Sequence, residues 1–152
     1  DEYDLSNYLR ALVNKQAFDK SGLIYGIGHA VYTVSDPRTQ LLRDYARGLA
    51  YEAGREAEYD LYLLTERLAP QVLREEKRQD KPICANVDFY TGFIYDLLGI
   101  PSDLFTSIFA AARVPGWCAH RMEELISGGR IIRPAYKSVQ PRRLYTPMSE
   151  RE

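Results

Sequence analysis

Apolar residues recur at three- and four-residue intervals along most of the chain, and this spacing predicts helices. Leu5, Tyr8, Leu9 and Leu12 mark a short amphipathic helix from about Asp4 to Asn14. A polar connection, Lys15 to Ser21, follows, with room for one helical turn at Ala17-Phe18. From Arg38 the pattern is strong: Leu41, Leu42, Tyr45, Ala46, Leu49 and Ala50 form one stripe. Asp36-Pro37 opens that helix and Gly54 closes it. Glu56 to Leu68 predicts the next helix. Pro70 is expected to end it, because proline removes a hydrogen bond from the helix interior, with a separate piece over Gln71 to Arg78. A further helix is predicted from Val87 to Leu98, stopped by Gly99-Ile100-Pro101. Ser102 is expected to cap a long, mostly buried helix carrying Leu104, Phe105, Ile108, Phe109, Ala112, Trp117 and Leu125. Pro115 should kink or break it just past Arg113, and Ser127-Gly128-Gly129 should stop it. The tail from Arg130, with prolines at 134, 141 and 147, is expected to be extended. Strand-period alternation is weak throughout, so the predicted class is all-α.

Composition narrows the function classes. The chain has 152 residues, 45% of them hydrophobic, which suits one domain or one domain plus part of another. A net charge of -1 gives no bulk electrostatic case for nucleic acid or a membrane surface. The twelve tyrosines are scattered along helix faces, as packing residues are, and do not form a stacking platform. No apolar run reaches membrane-spanning length and no signal peptide opens the chain. Cys84 and Cys118 lack metal-ligand spacing and suit reduced thiols in a cytoplasmic setting. Cys118 and His120 stand two apart on a helix and so face apart, which argues against a shared metal. The acidic start without Met, Asp1-Glu2-Tyr3-Asp4-Leu5, is expected of an excised or processed piece.

Two stretches carry candidate chemistry. In Gly26-Ile27-Gly28-His29 the glycines allow positive φ and close backbone approach, and an imidazole follows at once. Arg38 lies in the first turn of the next helix. An imidazole that polarises a carbonyl and a guanidinium that forks onto a carboxylate would suit an anionic keto substrate. A glycine-rich turn with a packed histidine accounts for the same residues. In Asn86-Val87-Asp88 a carboxylate stands at a helix N-terminus, where the dipole favours its charged form, as a base requires. A plain helix cap accounts for that too. These residues alone leave both pairs of readings open.

Taken together, Gly26-Ile27-Gly28-His29-Ala30-Val31-Tyr32 with Asp36-Pro37-Arg38, Asn86-Val87-Asp88-Phe89-Tyr90-Thr91-Gly92, Phe109 with Arg113, and Arg133-Pro134 resemble citrate synthase in order and spacing. The resemblance covers essentially the whole chain. It implies a small helical domain over residues 1–100 and, over 101–152, a return into a large domain through a long helix and an extended tail. It implies that Asp88 is the base toward acetyl-CoA and that His29 polarises the oxaloacetate carbonyl. Arg38, Arg113 and Arg133 would hold substrate carboxylates, Arg133 in the site of a neighbouring subunit of a homodimer. For CoA, the resemblance points to the loop Leu23, Ile24, Tyr25, Gly26, Ile27 and Gly28, with Lys81 and Asn86. Phe109 would pack in the site. CoA and acetyl-CoA enter as substrates, and no tightly bound cofactor or metal is implied.

Departures from the family pattern matter as well. Thr33 stands where some members carry an arginine for the CoA phosphates. The family's enolate-donating histidine lies upstream of this segment. His120 lies too far downstream to replace it and is expected to pack or cap on the last long helix. The polypeptide by itself is therefore expected to be inactive. Missing large-domain partners should leave the Leu104 to Leu125 face uncovered and favour self-association. The alternatives are 2-methylcitrate synthase, which uses propionyl-CoA, and a non-catalytic helical module that binds CoA or a partner chain.

Overall fold

Local chemistry sets the helix boundaries in the computed structural model, which describes residues 1–78, 80–128 and 147–150. Helix α1 (Glu2–Val13) opens on a reciprocal capping box between Asp1 and Asp4. Helix α2 (Pro37–Ala53) has Pro37 in its first turn and the Asp36 carboxylate accepting from the Arg38 N–H. It ends on Gly54 in the left-handed region, φ 66°. Helix α3 spans Glu56–Lys77 and α4 spans Val87–Leu97, the latter capped by the Asn86 side chain. A 3-10 turn at Ser102–Leu104 leads into α5 (Phe105–Ile126), and a second 3-10 turn covers Met148–Glu150. The only β pairing among the described residues is one antiparallel bridge, Ile27 with Ala85. The fold is all-α, as the periodicity predicts, and no described helix is long and apolar enough to cross a membrane.

The chain divides into two compact units, Asp1–Ala111 and Ala112–Glu152. In the first, α2 packs on α4 and α3, and α1 packs on α3. Arg67 pairs with Glu2, and Arg10 with Glu75 and Glu76, so α1 and α3 advance in the same direction. Two cores result. Leu9, Val13, Ile24, Leu68, Val72 and Leu73 make an aliphatic one. Tyr59, Phe89, Tyr90, Phe93 and Ile94, with Ala46 and Ala50, make an aromatic one. Ile27 packs against both. The fully buried Tyr90 donates its hydroxyl to Glu66 at 2.6 Å, and burial followed by that carboxylate pushes its pKa upward. In the second unit α5 continues to Ile126, and Gly128 (φ 85°) follows.

Several expectations are corrected. Pro70 lies inside a continuous α3. An interior proline costs about 3 kcal/mol, but Leu68, Val72 and Leu73 around it are buried, and each contributes about 1.5–3 kcal/mol. Helix α5 likewise runs unbroken through Pro115. Ser102 makes no cap: it is the first residue of the 3-10 turn, and Pro101 precedes it. The turn at Ala17-Phe18 is not helical, because Phe18 has φ 51°. The inner face of α2 is Leu42, Ala46, Leu49 and Ala50, with Leu41 and Tyr45 exposed; on α1, Tyr8 is likewise exposed. Helix α5 is not buried: Trp117, Met122, Leu125 and Ile126 are all exposed. His120 neither packs nor caps; it is a surface side chain 3.7 Å from Glu123. The tail expected to be extended begins at Arg130, and residues 130–146 lie outside the described residues.

Candidate active site

Two loops are stitched together at the join of the two cores. Gly28 N–H donates to the Cys84 carbonyl and Asn86 N–H to the Gly26 carbonyl, both at 2.8 Å. The Asn86 side chain works in both directions: its Oδ1 accepts from Asp88 N–H at 2.9 Å, and its Nδ2 donates to the Gly28 carbonyl at 2.8 Å. Gly26 is required twice over. Its φ is 79°, and a Cβ there would stand 2.9 Å from Phe89 in α4. The backbone thus fixes the histidine loop against the first turn of the helix that carries Asp88.

His29 accepts at Nδ1 from the N–H groups of Val31 and Tyr32, both at 3.0 Å. The ring proton therefore sits on Nε2, which makes that atom a donor. Arg38 is held by Asp36, whose Oδ1 accepts from Nε at 2.9 Å and whose Oδ2 accepts from Nη2 at 2.7 Å. The guanidinium carbon lies 5.3 Å from the centroid of the Tyr32 ring. These hydrogen bonds keep the Asp36 carboxyl below its ordinary range despite burial. The hydrogen bonds to Asp36 also raise Arg38 above its ordinary value, with Coulombic help from Asp36, Tyr32 and Asp88. Arg38 therefore lies within reach of the charges of both Asp36 and Asp88.

Among the described residues, His29 and Asp88 border different concavities. His29 borders one of about 370 Å³ with Leu23, Ile24, Ile27, Gly28, Thr33 and Lys81, and Lys77 joins them. Asp88, an exposed carboxylate at the start of α4, borders another of about 300 Å³ with Gly92, Tyr95, Phe105 and Phe109. The first holds five of the eight residues assigned to CoA. The other three lie elsewhere. Tyr25 is exposed and bonds Asp19, Gly26 faces Phe89, and Asn86 is engaged by the scaffold. Arg113 lies on α5 in the second unit and is exposed, and Arg133 lies outside the described residues. Sequence reasoning missed the grip of Asp36 on Arg38. The signal was present in Asp-Pro-Arg, where a helix-capping carboxylate stands two residues before a first-turn arginine.

The family profile for the citrate synthase C-terminal domain matches residues 1–135. Citrate synthase from Synechocystis is 42% identical over 93% of this chain and 33% of its own length. A 2-methylcitrate synthase from Shewanella oneidensis is 39% identical over 80% of this chain and 30% of its own. The structure of citrate synthase from the archaeon Thermoplasma acidophilum, solved as a ternary complex with carboxymethyl coenzyme A and oxaloacetate, is similar at a TM-score of 0.63. It is 26% identical and covers 99% of this chain, which in turn spans 40% of it. A helical fold that sets an imidazole loop against a carboxylate-bearing helix start is the fold of an acyl-transferring enzyme family. The chain belongs to the citrate synthase family and spans about a third of the length of the curated relatives it matches.

Proposed function

We propose that this chain forms the part of a citrate synthase that supplies the base, the ketone-polarising histidine and most of the CoA loop for joining acetyl-CoA to oxaloacetate. The observation that carries the reading is the backbone stitch of Gly26–Gly28 to Cys84–Asn86, with His29 on one side, Asp88 on the other and Arg38 within the field of Asp88. Asp88 takes a proton from the methyl group beside the thioester, and the enolate carbon attacks the ketone. His29, donating from Nε2, steadies the developing alkoxide and then protonates it, and water hydrolyses the resulting citryl thioester to citrate and CoA. Arg38, with Arg113 and Arg133, holds the carboxylates. Lys81 and Lys77 border the concavity where the CoA phosphates would lie, near Thr33.

On this reading the enolate needs a hydrogen-bond donor from outside these residues, so the isolated chain turns over no substrate. The working enzyme is a homodimer in which Arg133 serves the neighbouring site. The alternative reading is a 2-methylcitrate synthase using propionyl-CoA, with the likeness to one such enzyme as its support. The test is a rate assay of this chain and of the whole protein with oxaloacetate and each thioester. Citrate formation by the whole protein and none by the chain alone is expected. A whole protein that condenses neither thioester, or an active isolated chain, rejects the reading.

A further inference from the structure

We infer that Asp36 is a positioning residue: it turns the Arg38 guanidinium so that its Nη1–Nη2 edge faces an incoming substrate carboxylate. The inference rests on the proposed condensing function. Asp36 does more than cap a helix. Capping needs one oxygen, and Asn, Ser or Thr provides it. Here the side chain is wholly shielded (0% exposed), and both oxygens close on Arg38 through Nε, Nη2 and the backbone N–H. A buried carboxylate is costly unless it is paired and hydrogen-bonded in this way. Arg38 itself stands in the first turn of α2, where the helix dipole disfavours a cation. Asp36 offsets that cost and holds the cation there. The Tyr32 ring packs on the same guanidinium and also stands 5.0 Å from the His29 ring. With one edge of the fork engaged, a carboxylate arriving from solvent meets the other edge, and Arg38 is still 42% exposed to receive it.

Orientation and bare charge pull in opposite directions, which makes the inference testable. Removing the Asp36 charge leaves a freer cation, worth about fivefold tighter anion binding at a half-exposed site. In Asp36→Asn the capping oxygen still accepts from Nε, but losing the charged bond to Nη2 is worth about fiftyfold in the other sense. The experiment is calorimetric titration of the whole protein, wild type and Asp36→Asn, with oxaloacetate and separately with CoA. Asparagine keeps a helix-capping oxygen. Asp36→Ser, also a strong cap, replaces it if the first variant does not fold. We expect oxaloacetate affinity to fall about tenfold while CoA affinity stays within twofold. Unchanged or tighter oxaloacetate binding by a folded variant overturns the inference, as does an equal loss for both ligands. A wild-type protein that binds no oxaloacetate rejects the functional reading and the inference together, so the two failures are told apart by the wild-type titration.

Discussion

The two concavities of the first unit differ in how they are built. The one beside His29 is made mostly from loop residues, with Leu73 and Lys77 from α3, and mixes aliphatic side chains with two lysines, Lys77 and Lys81. The one beside Asp88 is made from helix faces and aromatic rings, Tyr95, Phe105 and Phe109. The first offers positive charge from Lys77 and Lys81, which suits an anionic ligand. The second offers an apolar wall with a single carboxylate at its edge, which suits an alkyl group that must give up a proton. A thioester of a large anionic carrier has both ends. The bridge at Ile27–Ala85 holds the loop that builds the first against the segment that leads into the helix of the second.

The largest expected effect breaks the apolar side alone. Asp88→Asn in the whole protein should lower turnover by about 10²- to 10⁴-fold. The melting temperature should stay close to wild type, because Asp88 is exposed and Asn86 is the cap. Steady-state rates and a thermal melt check both halves of that expectation. Next comes the stitch. Gly26→Ala forces a Cβ into Phe89 at φ 79° and should cost about 2 kcal/mol or more in urea unfolding. Gly28→Ala, at φ 101° but with its nearest neighbour 3.9 Å away, carries only the backbone part and should cost less. Equal losses would mean that close approach to Phe89 is unimportant. The smallest effect belongs to the loop-built side. Lys81→Ala removes one exposed cation and should weaken CoA binding only about two- to fivefold, less so in high salt, with oxaloacetate binding unchanged.

What the sequence made legible followed local chemistry. Asp36-Pro37 and Gly54 bound α2 because cap and φ preferences act over a few residues. Pro70 misled because its cost is local while the burial that outweighs it is tertiary, through Leu68, Val72 and Leu73 against α1. Ser102 misled because a 3-10 turn took the place of a direct helix start. On α5, the apolar pattern said which residues could pack but not whether a partner was there: Trp117 and Leu125 have the right spacing and are exposed. In the site, His29, Asp88 and Arg38 were legible as residue types at family spacing. The engagement of Arg38 by Asp36, and of Asn86 by the loop it was assigned to serve with, were not. Both depend on which of a side chain's hydrogen-bonding groups the fold has already used.

Ile27 is the side chain packed on both cores, and it lies between the two glycines that precede His29. A truncation at that position would loosen both helix pairs at once, at the spot where the chain turns toward its imidazole. One side chain thus anchors the His29 loop to both helix pairs.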